Sequence, residues 1–435
     1  MKKFWILALA ALLQACGGGG GGGAQTPPPS GGQAPQACSV AEQRRQVREF
    51  MNDEYYWAAR APNEAATSMD AYFRSMLNTP TDRFSYTEPT STFEAVFETG
   101  MFTGYGYSLM WTDAANTVLR VRYVEPRGPA AAAGLRRGDT VLSIDGHTPQ
   151  QIAAGTLPTV TTEGVQRIMR VRDTAGNERE IRMVSATFPL TPLRTATVLD
   201  ATRNGVPVKV GYLDYNQFVT YSVDELAAAM ASFAAAGASE LVLDLRYNGG
   251  GDIATSRDLA SMVTGAVAAG QVFAGLRYNA SNQAQNHDYR FNAPGGATPN
   301  LSRVFIIASA STASASELVI NGLRPFVNVV LIGETTFGKP YGFVPFSLCG
   351  TTYNAVNFEV VNATGTGGFT SGFAPTCSAP DDLDRQLGDP NELRLRTALT
   401  YIATGQCPQQ PQSATIGPRA VRTLGESPPP GMFRR

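Results

Sequence analysis

The pattern of apolar and polar residues divides the chain into stretches with different expected secondary structure. A helical period of apolar residues runs through residues 39–60 and predicts an amphipathic helix, with Ser39 as its N-cap. A second, shorter helix is expected over residues 68–77. Between residues 102 and 186 the helical period gives way to short alternating runs bounded by turns, which is typical of β-strands.

Beyond residue 190, apolar runs alternate with helical stretches. Strands are expected at residues 208–213, 240–245, 304–308 and 327–332, and helices at residues 223–236, in a segment ending near 264, and from about 314. The intervening residues 270–302 are polar and glycine-rich, and indicate a long surface insertion. Alternating strands and helices predict an α/β core with neighbouring parallel strands.

The N-terminus has the pattern of an export signal. Two lysines precede an apolar run over residues 4–13, which is too short to span a bilayer. The run ends in Leu-Gln-Ala-Cys, which resembles a bacterial lipidation sequence with Cys16 as the acceptor. A plain signal peptide that contains a cysteine is the alternative. Residues 16–37 are rich in glycine, proline and glutamine, and predict a flexible linker that would tether the protein to a membrane surface.

Charge and cysteine content narrow the possible partners and cofactors. The net charge of −1 and the lack of a basic cluster argue against nucleic acid binding. Two histidines and no C-x-x-C pair argue against a zinc site. Apart from Cys16 the chain has four cysteines, an even number that suggests disulfides in an exported protein. Of three possible pairings we expect Cys349–Cys377 with Cys38–Cys407, because the first closes a local loop.

A serine cluster and a lysine each follow a predicted strand. Residues 311–317 (STASASE) come after one strand and open a helix near Ser314, and Lys339 lies in the turn after the next strand. Because βαβ crossovers return the chain to the same end of a parallel sheet, both side chains should lie at one sheet edge. A lysine that has lost its proton can accept the proton of a neighbouring serine hydroxyl, which makes the serine an activated nucleophile.

Few other residues could act as the base. His147 follows a turn of the β-rich region and His287 lies in the polar insertion, so neither is expected near the serine cluster. Arginine keeps its proton at ordinary pH, whereas a lysine can be desolvated until it is neutral. Of the two lysines beyond the export signal, Lys209 is expected at a solvated strand position. The remaining candidate is Lys339.

The β-rich region contains a recognisable run. Residues 128–146 (GPAAAAGLRRGDTVLSIDG) predict a short helix closed by Gly134, a Gly-Asp turn and a strand that ends in Asp-Gly. The run resembles a PDZ domain, a resemblance which implies that a peptide adds as a strand to a sheet edge while backbone N–H groups hold its C-terminal carboxylate. The matching carboxylate-binding positions are Gly104, Tyr105 and Gly106. A purely structural β-domain is the alternative.

Together with the segment Thr-Phe-Gly-Lys at residues 336–339, the serine cluster resembles the C-terminal processing peptidases, also called tail-specific proteases. Members are serine–lysine peptidases with an inserted PDZ domain, and the resemblance covers roughly residues 40–400. The family's nucleophile is the central serine of such a cluster, and its base follows about 25 positions later. The 25-residue spacing from Ser314 to Lys339 therefore selects these two residues.

The resemblance also implies an oxyanion hole. Residues 244–251 (DLRYNGGG) match a family segment whose backbone, at Gly250 or Gly251, donates N–H groups together with Ala315. Glycine allows close approach of a substrate to the backbone, and a helix N-terminus favours developing negative charge. The glycine run lacks the pattern of a phosphate-binding loop.

Other residues near the two candidates have expected supporting roles. Glu317 completes an S-x-x-E capping pattern and is expected to be structural. Thr336 either orients Lys339 or caps its turn. The family has a glutamine four residues after the lysine and a glycine directly after it, where this chain has Phe343 and Pro340. Another group is then expected to position the lysine, or the activity is weak.

The sequence therefore predicts an α/β multi-domain protein: a crotonase-like peptidase core with an inserted PDZ domain and an N-terminal helical unit. The expected divisions are a signal peptide at 1–15, a linker at 16–37, the helical unit at 38–97, the PDZ-like domain at 98–188, the peptidase core at 189–407 and a disordered tail at 408–435.

The predicted function is an exported, lipid-anchored serine endopeptidase of the bacterial cell envelope that cuts polypeptides near their C-termini and needs no cofactor or metal. A peptidase fold without turnover, which binds peptides through its PDZ domain as a scaffold, is the alternative. An enzyme that uses a cofactor is disfavoured, because no nucleotide or metal motif is present.

Overall fold

The computed structural model describes residues 38–158, 160–293, 295–299, 301–409, 423–425 and 431–433. The predicted signal peptide and linker, with Cys16, lie outside these ranges. Within them, no helix has both the length and the apolar character needed to cross a membrane.

The N-terminal unit is built from short helices and one strand. Its elements are α1 (Val40–Glu54), α2 (Met69–Ser75), β1 (Tyr86–Pro89), α3 (Thr90–Glu94) and a π-helical turn, Ala95–Thr99. Ser39 and Ser68 cap the first two helices, each accepting a hydrogen bond from the backbone N–H three residues later. The first helix ends at Glu54 rather than near residue 60. Apolar residues of both helices pack on Tyr353 and Val356 of the core.

The β-rich region forms its own sheet and apolar core. Its elements are β2 (Met101–Gly104), β3 (Tyr107–Trp111), β4 (Leu119–Val124), α4 (Pro129–Ala132), β5 (Thr140–Ile144), α5 (Pro149–Ala153), β6 (Gln166–Arg172), β7 (Glu178–Val184) and β8 (Ala186–Pro189). Strands β3 to β7 pair in sequence order as an antiparallel sheet, while β2 pairs with β8 where this domain leaves and rejoins the core. The predicted strand from residue 103 is thus interrupted, since β2 ends before Tyr105 and β3 begins after Gly106.

The core follows the alternating pattern of the sequence. Its elements are β9 (Leu193–Arg203), β10 (Val206–Tyr215), α6 (Val223–Ala235), β11 (Ala238–Asp244), β12 (Gly250–Asp252), α7 (Ile253–Thr264), β13 (Val272–Tyr278), β14 (His287–Arg290), β15 (Arg303–Ala308), α8 (Ala315–Leu323), β16 (Asn328–Gly333), β17 (Tyr341–Gly342), β18 (Phe346–Leu348), β19 (Thr351–Asn354), β20 (Phe358–Val361), β21 (Cys377–Ser378) and α9 (Leu393–Thr404).

The central sheet has the strand order β21-β16-β15-β11-β10-β9, in which only the edge strand β9 runs antiparallel to its neighbour. Both faces are covered. In β15, Val304 and Ile306 pack against α6, α7 and α8, whereas Phe305 and Ile307 pack against α9. Because successive side chains of a strand point to opposite faces, a strand that is covered on both sides has a continuous apolar run.

The parallel strands bring three loops to one edge of the central sheet. We call them the glycine turn (residues 245–252, after β11), the serine loop (309–314, after β15) and the lysine loop (334–340, after β16). The prediction that the serine and the lysine lie at the same sheet edge is confirmed.

A second core sheet replaces the predicted surface insertion. Its antiparallel order is β14-β13-β20-β17, and the apolar residues Phe273 and Leu276 of β13 are buried against the helices α7 and α8. The expectation of a surface insertion over residues 270–302 is therefore wrong. The partner strand β20 lies about 80 residues further along the chain, so no local turn pattern in the sequence predicts the pairing. A third sheet, β1-β19-β18, joins the N-terminal unit to the core.

The C-terminal tail contains two short strands, β22 (Thr423–Gly425) and β23 (Gly431–Phe433). The first pairs antiparallel with β3, and the second pairs parallel with β12 in the glycine turn. The prediction of a disordered tail does not hold for these six residues.

Two disulfides join Cys38 to Cys349 and Cys377 to Cys407, so the expected pairing is wrong. Cys349 lies in the turn between β18 and β19, and Phe346 of that hairpin stacks on Phe50 of α1, the helix that begins shortly after Cys38. Cys377 instead belongs to β21 at the edge of the central sheet, where the end of α9 brings Cys407 close. Nearness along the chain did not decide the pairing, because Cys349 and Cys377 belong to different sheets.

Candidate active site

Ser314 is the N-cap of α8 and has a backbone conformation that is rare for a residue with a side chain. Its φ is 63° and its ψ is −116°. Such conformations cost on the order of 1–3 kcal/mol, and they concentrate at functional sites. The turn has the arrangement of a capping box, in which Ser314 N–H donates to Glu317 at 3.0 Å. Among the described residues, however, the buried Ser314 Oγ has no hydrogen-bond partner.

The Glu317 carboxylate connects the serine loop with the lysine loop. One oxygen accepts hydrogen bonds from the backbone N–H groups of Ser314 (3.0 Å) and Lys339 (2.8 Å). The other accepts from Gly338 N–H (2.7 Å) and the Thr336 hydroxyl (2.5 Å). A single carboxylate oxygen therefore holds the backbones of both candidate residues. Burial raises the pKa of Glu317, while these hydrogen bonds oppose the rise.

Thr336 supports the loop rather than the lysine amine. Its hydroxyl donates to Glu317 and accepts from Phe373 N–H at 2.8 Å. Of the two expected roles for Thr336, these contacts favour stabilisation of the turn.

The Lys339 side chain is almost fully enclosed, with 1% of its surface exposed. Burial lowers the pKa of Lys339 to about 7, because a desolvated ammonium loses its hydration, while the charges of Asp82 and Glu317 oppose the shift. The Nζ atom lies 5.0 Å from the ring centroid of Phe343 and 5.8 Å from that of Tyr86. Phe343, where the family has glutamine, therefore helps to surround the amine with an apolar wall.

The glycine turn packs directly against the serine loop. Asn248 O accepts hydrogen bonds from Ala313 N–H (3.1 Å) and the Ser316 hydroxyl (3.0 Å), and Asn248 Oδ1 accepts from Gly250 N–H (2.9 Å). The Gly250 amide is thus already used inside the turn. At Gly251, φ is +134° and a Cβ would lie 2.1 Å from Phe218 O, so only glycine is compatible with this position.

Ala315 opens α8, and the first amides of a helix have no acceptor within the helix. Its N–H therefore lies at the positive end of the helix, next to Ser314. The predicted residues Ser314, Ala315, Glu317, Lys339 and Gly251 are brought to one sheet edge, which thus carries a hydroxyl, an amine and backbone N–H groups.

Sequence reasoning did not single out several residues that build this edge. Thr312 Oγ1 donates to Leu245 O at 2.7 Å, which ties the serine loop to the end of β11. Arg83, from the N-terminal unit, donates to Phe337 O and Gly338 O, both at 3.2 Å, and so holds the lysine loop. These residues act through backbone carbonyl groups of distant loops, for which no local sequence pattern exists.

Of the predicted carboxylate-binding positions, Gly104 ends β2, and Tyr105 and Gly106 connect it to β3. Gly106 has a φ of 76°, and its carbonyl accepts from Glu125 N–H at 2.8 Å. On the adjoining sheet, Arg122 donates to Ser108 Oγ (2.7 Å) and to Ser311 Oγ (3.0 Å). Arg122 of β4 therefore links strand β3 to the serine loop. Cys16, the predicted lipidation site, lies outside the described residues.

Three segments of the chain match models of known protein families. Residues 209–377 match the model of peptidase family S41, residues 120–154 match that of the PDZ domain, and residues 42–86 match that of the peptidase S41 N-terminal domain.

Individual proteins give the same result. The chain is 25% identical over 249 residues to the chloroplastic C-terminal processing peptidase of Tetradesmus obliquus, covering 55% of this chain and 52% of that protein. It is 28% identical over 254 residues to the carboxyl-terminal-processing protease of a Synechocystis species, covering 56% and 54%. The chain thus spans about half the length of these curated relatives. A crystal structure assigned to the S41 proteases, from Bacteroides fragilis, matches with a TM-score of 0.66 at 27% identity, over 82% of this chain and 96% of that chain.

Proposed function

We propose that this protein, whose residues 209–377 match the model of peptidase family S41 and which also matches the S41 N-terminal domain and the PDZ domain, is a serine endopeptidase that cleaves polypeptides near their C-termini. One observation carries the proposal. Lys339, a buried lysine with its pKa lowered to about 7, has its backbone anchored on the same carboxylate as that of Ser314, whose buried hydroxyl has no hydrogen-bond partner among the described residues.

In the proposed reaction, neutral Lys339 takes the proton from Ser314 Oγ as the oxygen attacks the substrate carbonyl. The N–H groups of Gly251 and Ala315 stabilise the resulting oxyanion, since Gly250 N–H is engaged with Asn248. The lysine then gives its proton to the leaving amine. Water, deprotonated by the same amine, releases the acyl group and restores the serine.

The proposed substrates are polypeptide tails that add to the edge strand β3 of the PDZ domain. The predicted carboxylate-binding positions Gly104, Tyr105 and Gly106 directly precede this strand, and Arg122 links it to the serine loop. An exported location, with a lipid anchor at Cys16, is part of the proposal. The two disulfides support it, because disulfides persist in oxidising compartments.

The test of this function is degradation of an unstructured polypeptide together with labelling by an irreversible serine-directed probe. We expect fragments to accumulate, and we expect mass spectrometry of the labelled protein to locate the probe on the peptide containing Ser314. A protein that binds polypeptide but neither cleaves it nor reacts with the probe would instead be a peptide-binding scaffold.

Activity should depend on pH through Lys339. The amine must be neutral to accept a proton, and its pKa is lowered to about 7. We therefore expect kcat/KM to rise about tenfold per pH unit below pH 7 and to level off above it. Initial rates measured from pH 5 to pH 9 test this, with near-UV circular dichroism at each pH to exclude acid unfolding. A rate that falls as the pH rises through 7 would contradict the role of Lys339 as base.

A further inference from the structure

The chain's own C-terminal segment occupies the peptide edge of the PDZ sheet. Strand β22 runs antiparallel to β3, with Thr423 opposite Met110, Leu424 opposite Leu109 and Gly425 opposite Ser108. Its direction leads toward the positions predicted to bind a carboxylate, just before Tyr107. This is the edge and the orientation in which a PDZ domain takes a peptide as an added strand.

The following strand of the tail lies in the cleft of the candidate active site. Strand β23 pairs parallel with β12, with Met432 opposite Gly251. The other side of β12 is taken by Phe218, whose N–H bonds Gly250 O (3.0 Å) and whose carbonyl accepts from Asp252 N–H (2.9 Å). Since backbone groups alternate along a strand, the N–H and C=O of Gly251 point toward the tail.

The same tail strand also contacts the strand that follows the lysine loop. Strand β23 lies beside β17, which directly follows Lys339 and Pro340. The segment 431–433 therefore runs between the glycine turn and the end of the lysine loop, where an extended substrate backbone would have to lie.

One continuous segment reaches both places. The strands β22 and β23 belong to one C-terminal segment, and their pairings with β3 and β12 place it at both the PDZ edge and the glycine turn. The start of the tail is held to the core by the disulfide between Cys377 and Cys407. A tethered segment acts at a local concentration on the order of millimolar, which favours even weak strand pairing.

We propose that the two tail strands, β22 and β23, act as a built-in, substrate-like ligand that blocks both the PDZ edge and the active-site cleft of the same molecule. The proposal rests on the proposed peptidase function for its inhibitory effect. A polypeptide substrate must displace β22 from β3 and β23 from β12 before it can be cleaved. The enzyme is then selective for tails that pair with β3 more strongly than its own segment does.

Proline substitutions in the full-length chain test the pairing itself. Proline removes a backbone donor and fixes φ, so Leu424→Pro combined with Met432→Pro should release both strands. In the Ser314→Ala background, which prevents self-cleavage, the amides of Thr423, Gly425, Gly431 and Phe433 should exchange hydrogen about tenfold faster in the double variant than in the parent. Ala420→Pro, outside both strands, is the matched control and should leave these amides unchanged, and exchange in β15 should be the same in all three proteins.

The same substitutions in the Ser314-containing chain test the inhibition. We expect kcat/KM for an unstructured polypeptide to rise about tenfold in the double variant and to stay unchanged in Ala420→Pro. Equal exchange rates, or equal kcat/KM in proteins that do cleave, would overturn the proposal. If neither the parent nor any variant cleaves the polypeptide, the proposed peptidase function is wrong. The exchange rates then still show whether the tail pairs with β3 and β12.

Discussion

Replacing Ser314 by alanine is expected to lower kcat for polypeptide cleavage by about 10⁴-fold or more, without loss of stability. The large effect follows because removal of the nucleophile of a serine peptidase leaves only the contribution of the oxyanion hole and of binding. The unchanged stability follows because Ser314 Oγ is buried and makes no hydrogen bond with the described residues, so that the substitution leaves no partner behind. An unsatisfied buried hydroxyl costs about 1–3 kcal/mol, and the variant should therefore unfold at the same or a higher temperature.

A second substitution at the same position separates backbone strain from chemistry. Ser314→Gly should be as inactive as the alanine variant and more stable, because glycine adopts a φ of 63° at little cost. Ser311→Ala, in the same serine cluster, is the matched control and should retain activity within about tenfold. Thermal unfolding and steady-state kinetics measure all three variants. Comparable activity in Ser314→Ala and the parent would exclude Ser314 as the nucleophile.

Replacing Lys339 by methionine should lower kcat by about 10³–10⁴-fold while making the protein more stable at neutral and acidic pH. The loss of activity reflects removal of the general base. Lys339→Arg should not restore activity, since a guanidinium does not give up its proton at these pH values. Steady-state rates at pH 8, where the lysine of the parent is mostly neutral, give the clearest comparison.

The gain in stability follows from the lowered pKa of the lysine. The folded chain releases this proton at about pH 7, whereas the unfolded chain keeps it up to the ordinary value of 10.5. Between these pH values the unfolded state binds more protons, so the stability of the parent rises with pH. The destabilisation of the folded state by the buried lysine is complete below pH 7, where it amounts to about 5 kcal/mol, and it disappears as the pH rises through 10.5.

Lys209→Met is the matched control for this prediction. The Lys209 amine is exposed and pairs with Asp200 at 2.6 Å, so its removal should change neither kcat nor the pH dependence of stability. Urea unfolding of both variants and the parent at pH 6 and pH 10 measures the difference. If the free energy of unfolding of Lys339→Met increases from pH 6 to pH 10 as much as that of the parent does, Lys339 is not the group that causes the increase.

The strands of the central sheet could be predicted from local sequence patterns because they are covered on both faces. Continuous apolar runs predicted β11 and β15 to within two residues at each end, and the alternation with helices predicted their parallel pairing. The sheet that contains β13 was missed for the opposite reason. Its strands are short, the surrounding residues are polar, and the partner β20 comes from a remote part of the chain.

The candidate site residues could also be predicted from the sequence, because few lysines and serines satisfy the expected spacing. Only one lysine follows a core strand, and only one serine stands 25 residues before it at the start of a helix. The anchoring of both loops on Glu317 was visible only as a capping pattern within one helix turn. Its reach to Thr336, Gly338 and Lys339 depends on how two loops pack, and it could not be read from spacing.

Local sequence was enough to predict the strands of the central sheet, the candidate serine and lysine, and the presence of a PDZ domain, because each depends on short-range patterns. The disulfide partners, the enclosure of the lysine by Phe343 and Tyr86, and the return of the tail to β3 and β12 were settled by the folded chain. These features join residues far apart in sequence, and such contacts form only where the packing of whole sheets and loops brings them within reach.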